Sequence, residues 1–326
     1  MTVLTRRGLG LVAGGALFAP YLLPAARAAA DLSKVTLRVG DQVGQQQSKL
    51  KAAGLLDHLP YRIEWSVYPA AVHLHEALKA GAIDIGGAND SPTVSAMANG
   101  SPAIAVAAWD NGGRGTYLLV PRGSTARTVA DLRGKTISPT TRGSVAHHLV
   151  VGELGRAGLA AEDVKLAFLN PVDAGAAFAA GSIDAWATWG IYAARVRGVL
   201  GGRVLSDGKG INSGLFVYSA TGSALRDPGK VAAIADLSER ISRGYQWSRD
   251  NRAAHIAWFK GFARQDDQIA EALYDDDADH RRIAIDDAFV ARLRKTFETW
   301  RSAGILGGDI EFGGHVYREL AVGGPA

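Results

Sequence analysis

One segment of this chain recurs in similar form. Ala77-Leu78-Lys79-Ala80-Gly81-Ala82-Ile83-Asp84 returns one hundred residues later as Ala177-Phe178-Ala179-Ala180-Gly181-Ser182-Ile183-Asp184. In each copy a helical stretch stops at a glycine and turns at once into a short apolar strand, the punctuation of a helix C-terminus. The spacing is far too long for a solenoid. It points to two lobes of similar topology facing a shared cleft, with ligand expected at the carboxyl ends of strands. A chance match between two common helix–glycine–strand units is the plainer alternative.

The rest of the chain alternates in the same way, which predicts an α/β fold. Val35–Val39, Tyr61–Val67, Ile83–Gly86, Ala103–Ala108 and Tyr117–Val120 read as strands, with helical pieces over 50–59, 73–80 and from Asn89 onward. A second unit opens near Pro121. It carries strands at 135–138, 164–169 and 183–187, helices at 144–157 and 174–180, and closes with Val204-Leu205 and Leu215–Tyr218. From Pro228 the pattern is mostly helical, over 231–247, 253–262 and 286–303.

Composition matters mainly at the N-terminus. Met1–Ala30 reads as a cleaved signal sequence: Arg6 and Arg7, an uncharged apolar run from Gly8 to Pro24, then Ala26-Arg27-Ala28 before a cut after Ala28 or Ala30. The run falls short of the roughly 20 residues a membrane span needs. Thr5-Arg6-Arg7-Gly8-Leu9 fits twin-arginine export as well as the Sec route. The formal charge is +4, and Arg6, Arg7 and Arg27 supply three of those charges. The mature chain is then nearly neutral, with scattered basic residues, which argues against a nucleic-acid partner. The chain has no cysteine, which excludes disulfides, thiolate metal sites, a cysteine nucleophile and a lipidated N-terminal cysteine. A soluble protein free in the periplasm is expected.

Three polar segments fall at strand ends or helix starts: Gly40-Asp41-Gln42, Asn89-Asp90-Ser91-Pro92-Thr93, and Thr141-Arg142-Gly143-Ser144-Val145-Ala146-His147. The last two open helices, whose N-terminal N–H groups and partial positive charge suit an oxyanion. The alternative is ordinary capping by Ser91 and Ser144. Trp186 and Trp189 fit either an apolar wall for an organic ligand or core packing. No metal or catalytic centre is expected. His73 and His75 do not share a helix face, nor do His147 and His148. There is no zinc, nucleophile-elbow or phosphate-loop pattern. Asp275-Asp276-Asp277 reads as a solvated loop or helix cap.

Taken in order, Leu37–Gln42, Ala80–Gly86, Asn89–Pro92, Arg142–His147 and Ala176–Trp186 resemble the aliphatic-sulfonate-binding periplasmic proteins of ABC transporters. The wider group includes taurine-, nitrate- and thiamine-precursor-binding proteins. The resemblance implies a type II periplasmic binding fold, two α/β lobes with a ligand cleft between them. Lobe 1 is expected over 31–120 plus 221–326, and lobe 2 over 121–220. It implies ligand contacts from Gln42, Asp90 and Ser91 on one side. From the other come Arg142, Gly143, Ser144, His147, Trp186 and Trp189. Asp90 either binds a ligand group or caps its helix.

The implied function is capture of an organosulfonate or sulfate ester for an ABC permease, by a monomer without cofactor or chemistry. Nitrate, a thiamine precursor or an aromatic sulfonate are the alternative ligands. An enzyme on this fold is the alternative class, disfavoured by the missing cysteine. Members of the family often follow the second tryptophan with Asp-Pro. Here Gly190-Ile191 follows Trp189, so the acid that binds an amino group is missing there, which favours a ligand without a cation.

Overall fold

The computed structural model describes residues 31–320. The signal sequence expected over Met1–Ala30, its cleavage site and its export route lie outside the described residues. Among the described residues no helix is long and apolar enough to cross a membrane.

The chain runs through β1 (Thr36–Gln42), α1 (Gln45–Ala52), β2 (Arg62–Tyr68), α2 (Ala71–Lys79), β3 (Ile85–Asn89), α3 (Asp90–Ala98) and β4 (Ile104–Asp110). There follow β5 (Thr116–Val120), β6 (Thr136–Ser138), α4 (Val145–Arg156), β7 (Lys165–Leu166), α5 (Pro171–Ala179), β8 (Ala185–Trp189), α6 (Gly190–Gly198) and β9 (Arg203–Asp207). The last part holds β10 (Leu215–Ala220), α7 (Gly222–Leu225), α8 (Pro228–Asp250), α9 (Arg252–Ala263), α10 (Asp267–Asp277), β11 (Arg281–Ile283) and α11 (Asp287–Ser302).

These strands build two sheets. The first has the order β11-β4-β10-β3-β1-β2, the second β7-β6-β8-β5-β9. In each, three strands run parallel (β2, β1, β3 and β7, β6, β8) and the next is antiparallel (β10 and β5). The sequence repeat lands on matching places, α2 into β3 and α5 into β8. Gly81 and Gly181 sit at φ 69° and 70°. Behind them Ala82 N donates to Ala77 O and Ser182 N to Ala177 O, both at 2.9 Å, closing the two helices alike. Both aspartates then clasp the neighbouring strand: Arg38 N donates to Asp84 Oδ2 at 3.0 Å and Thr136 N to Asp184 Oδ2 at 2.8 Å.

Apolar clusters built on Leu37, Val39 and Tyr218, and on Leu74, Phe289 and Trp300, pack helices onto the first sheet. Clusters on Ile137 and Leu149, and on Phe178 and Trp186, do so for the second. A smaller one on Phe259 and Leu273 joins α6, α9 and α10.

The expected division of the chain differs from the sheet membership at both junctions. β5, expected in the first lobe, pairs with β8 and β9 in the second sheet. β10, expected to close the second unit, lies between β3 and β4 in the first. Such pairings join strands far apart in sequence, so local pattern cannot read them. The chain passes between sheets at 111–115 and 208–214, and the two passages touch: Asn111 N donates to Gly214 O at 2.9 Å. A Cβ on Gly214 would come within 2.3 Å of Gly113 N, so that contact needs glycine.

Two helical readings also shift. The helix expected over 50–59 is α1, starting earlier because Asp41 accepts from Gln46 N at 3.2 Å and Gln47 N at 2.8 Å. Asp275–Asp277, expected in a solvated loop or cap, end α10, and only Asp275 of the three is exposed.

Candidate functional site

A cavity of about 130 Å3 is lined by three sets of residues. The first sheet gives Asp41 and Gln42 at the end of β1, Asn89 at the end of β3, and Phe216 and Tyr218 from β10. The second gives Thr116 at the start of β5, Trp189 at the end of β8, and Gly190, Ile191 and Tyr192 from the first turn of α6. The C-terminal helices and the loop after them close it with Tyr245, Asp276, Asp277 and His280. The carboxyl ends of β1, β3 and β8 thus meet at one place, as open α/β sheets arrange their ligand sites.

The α6 end is prepared for negative charge. Its first turn has no capping side chain and no acid. Gly190 N donates to Gly115 O at 3.4 Å, and the following N–H groups of the turn, with the helix dipole, stand at the cavity. Trp189 stands edge-on to Tyr192, ring centroids 6.1 Å apart, and supplies apolar wall. Gln42 Nε2 donates to Gly87 O at 2.9 Å, fixing its amide beside the cavity. Gln46 also lines it, is only 6% exposed, and its Nε2 has no hydrogen-bond partner among the described residues.

Beside these donors stands a buried polar cluster. Lys49, 1% exposed, places Nζ 2.5 Å from Asp277 Oδ2 and 4.4 Å from the Tyr245 ring centroid. Gln45 Nε2 donates to Asp277 Oδ1 at 2.7 Å. Burial alone would raise Asp277; the Lys49 ammonium is the largest of several opposing contributions that together hold the carboxyl below its usual range. Burial pushes Asp41 up to about 6, against its two backbone donors. It also raises Asp276, against the hydrogen bond that Tyr117 donates at 2.5 Å. His280 stacks on Tyr245, centroids 4.5 Å apart, and burial pushes it down to about 4, so it is neutral at pH 7.

Of the residues singled out in the sequence, Gln42 and Trp189 line this cavity. Arg142 and His147 line a separate cleft between α4 and α11. There the Arg142 guanidinium sits 4.0 Å from the Phe168 ring centroid. His147 Nδ1 accepts from Gly143 N at 3.1 Å, and burial pushes the ring down to about 3. Ser144 is spent on structure: its hydroxyl caps α4 through His147 N and donates to Pro139 O, both at 3.1 Å. Asp90 and Ser91 are buried, and Asp90 Oδ2 accepts from Thr296 Oγ1 at 2.5 Å. Trp186 is a core residue, 1% exposed, with Nε1 donating to Thr140 Oγ1 at 3.0 Å.

The sequence reading passed over Asp41, Gln46, Asp276, Asp277 and His280. Asp41 stood in a segment already marked. The other four carry no local sign, because their role comes from α1 and α10 meeting across the whole chain. The carboxylates also correct the expectation drawn from Gly190: acid reaches this cavity, from β1 and α10 instead of from the start of α6.

Two sheets of matching order around a cavity at their strand ends define a bilobal solute-binding fold. A family described as "ABC transporter, phosphonate, periplasmic substrate-binding protein" matches residues 42–240. The chain is 37% identical over 235 residues to a putative aliphatic sulfonates-binding protein of Escherichia coli, covering 70% of this chain and 72% of that one. It is similar in structure to the alkanesulfonate-binding protein SsuA of Xanthomonas axonopodis pv. citri, solved bound to MOPS: TM-score 0.76, 26% identity, 87% of this chain and 98% of that one. The periplasmic aliphatic sulphonate binding protein SsuA of E. coli matches with TM-score 0.75 and 26% identity, over 89% and 94% of the two chains. The chain belongs to the periplasmic substrate-binding proteins of ABC transporters.

Proposed function

We propose that this protein captures an organosulfonate, or a related sulfate ester, in the periplasm and delivers it to an ABC permease without altering it. The observation that carries the reading is the uncapped N-terminus of α6 at a cavity walled by Trp189. A sulfonate is anionic at any physiological pH and has no proton to give, so donors suit it. The α6 N–H groups and the Gln46 amide offer such donors, while Trp189, Tyr192 and Phe216 accommodate the organic tail. The sulfonate named for the similar E. coli and Xanthomonas proteins supports the same ligand class.

The lobes of this reading follow the two sheets, with the division at 111–115 and 208–214. Ligand contacts from both lobes favour the closed form, and the permease reads that form. We place the mature protein free in the periplasm as a monomer, exported by the segment ahead of Asp31.

A thermal-shift panel tests the reading. Alkanesulfonates of several lengths, sulfate esters, aromatic sulfonates, alkylphosphonates, nitrate and a thiamine-precursor pyrimidine are compared. A ligand at a hundred times its Kd adds about 2.7 kcal/mol of stability. Stabilisation by sulfonates, with the ligand recovered unchanged, supports the proposal. Stabilisation by nitrate or the pyrimidine alone, or conversion of the ligand, overturns it.

A further inference from the structure

A second pocket, away from the cavity at the strand ends, lies beside α2 and α3. Its volume is about 290 Å3, and it is lined by those two helices, by Arg142-Gly143 ahead of α4 and by Ile305-Leu306 after α11. α2 and α3 pack on the first sheet and α4 on the second, so an occupant touches both halves of the molecule. The halves meet closely here: a Cβ on Gly143 would come within 2.7 Å of Ser95 Oγ.

Two buried polar groups at this pocket have no partner among the described residues. His75 and Ser101 are each 3% exposed, and His75 Nδ1 and Ser101 Oγ make no hydrogen bond. The proton on the His75 ring is placed by its neighbour. Thr93 Oγ1 gives its one proton to Asn89 O at 2.8 Å, so the 3.2 Å contact with His75 Nε2 requires Nε2 to donate. Burial pushes the ring down to about 4, so at pH 7 it is neutral and carries that single proton. Nδ1 is then a bare acceptor, costly to bury unless an occupant donates to it. The Ser101 hydroxyl can give a bond or take one.

The exposed side of the pocket adds charge. Arg142 spends only the face of its guanidinium, 4.0 Å from the Phe168 ring centroid, and makes no ion pair among the described residues. Its edge N–H groups are free to take a carboxylate. Lys79 Nζ donates to Asn99 O, a neutral carbonyl, at 3.1 Å. Against these two cations, Glu76 is the acid among the described lining residues. Val72, Pro92 and Leu306 add apolar wall for a short carbon skeleton. The volume lies at the lower edge of the roughly 300–1,000 Å3 of organic-ligand sites, so the occupant is small.

We propose that this pocket binds a small hydroxy-acid anion, whose hydroxyl donates to His75 Nδ1 beside Ser101 while its carboxylate meets Arg142 and Lys79. It is a second site, independent of what the first cavity holds.

The test reads the His75 ring nitrogens by NMR on the isotope-labelled mature protein, their resonances assigned by their loss in His75→Gln. The titrants are 2-hydroxypropanoate, propanoate, which lacks the hydroxyl, and 1,2-propanediol, which lacks the charge. The expected result is a saturable upfield shift of Nδ1 with the hydroxy acid, as that nitrogen accepts a hydrogen bond. The hydroxy acid should bind at least about tenfold tighter than either analogue, the worth of one hydrogen bond to a charged group. Arg142→Gln should weaken it at least about fivefold, and Lys79→Gln repeats the charge test should the first variant disturb its loop. A proton found on Nδ1 in the free protein overturns the proposal at the outset. Propanoate binding as tightly overturns it, because the bare acceptor then selects nothing. The diol binding as tightly, or indifference to both charge variants, overturns it, because the cations then take no part. No saturable shift at His75 with any titrant overturns it too, and leaves the pocket to water alone.

Discussion

Lys49 Nζ reaches Asp277 Oδ2 at 2.5 Å, joining α1 near the start of the described chain to α10 near its end. The lysine is almost wholly buried and the aspartate side chain is 14% exposed. This contact brings the C-terminal helices onto the strand ends of the first sheet and closes the cavity from that side.

Breaking the pair from one side should be costly. Lys49→Ala leaves a buried carboxylate without its countercharge, and a loss of about 3–5 kcal/mol is expected. Replacing both, with Lys49→Met and Asp277→Leu, should recover most of it. Chemical denaturation measures both. A single variant as stable as the wild type would show that the pair is not buried as described.

The two aspartates of the repeat should differ sharply. Asp84 is 1% exposed and takes ion pairs from Arg38 at 2.6 Å and Lys230 at 2.9 Å, besides the strand N–H. Asp184 makes the same strand bond but is exposed, with Lys135 3.9 Å away. Asp84→Ala is expected to cost about 3 kcal/mol or more, and Asp184→Ala about 1. Urea midpoints decide it, and equal losses would contradict the difference in burial.

That repeat was the most legible part of the fold. Its glycines and aspartates act locally, so two similar eight-residue segments, alike at five positions, build the same turn twice. What the sequence hid depends on distant partners. β5 pairs with β8 and β9, and β10 with β3 and β4, across the expected boundaries, so the junctions fell on the wrong side of both strands. Asp275-Asp276-Asp277 looks like any solvated acid run, and nothing nearby announces that Lys49 waits for its last member. Gln42 and Trp189 were readable as strand-end residues beside the cavity. Ser144 was readable either as a ligand contact or as a helix cap, and the structure gives its hydroxyl to the cap.

The tryptophans make a separable pair. Trp186 packs in the core with Phe178, so Trp186→Ala should lower stability by about 3–5 kcal/mol. Trp189 lines the cavity, so Trp189→Ala should weaken ligand binding about tenfold or more at little cost in stability. Paired denaturation and binding curves separate the two. A Trp189 variant that binds as well as the wild type would remove that residue from the site.

Acid should destabilise the protein before its carboxylates titrate in bulk. Burial pushes His75, His255 and His280 down to about 4 and His147 to about 3. In the unfolded chain each takes up a proton near pH 6.5. Between these values the unfolded state binds more protons, so stability present above about pH 6.5 is lost as pH falls. Asp41, raised to about 6, and Asp276, also raised by burial, work the other way: each binds its proton more readily when folded and offsets part of the loss. Four histidines outweigh these two aspartates, and the thermal midpoint should fall by several degrees between pH 7 and pH 5. An unchanged midpoint would contradict the burial of these rings.

The most direct test of the central claim is an equilibrium titration of the mature protein with a sulfonate, repeated on Trp189→Ala and with the ligand recovered for analysis. Saturable one-to-one binding, weakened by that substitution and returning the ligand chemically unchanged, is the predicted result. No binding, binding indifferent to Trp189, or a ligand returned as product would contradict capture at the α6 end of this cavity.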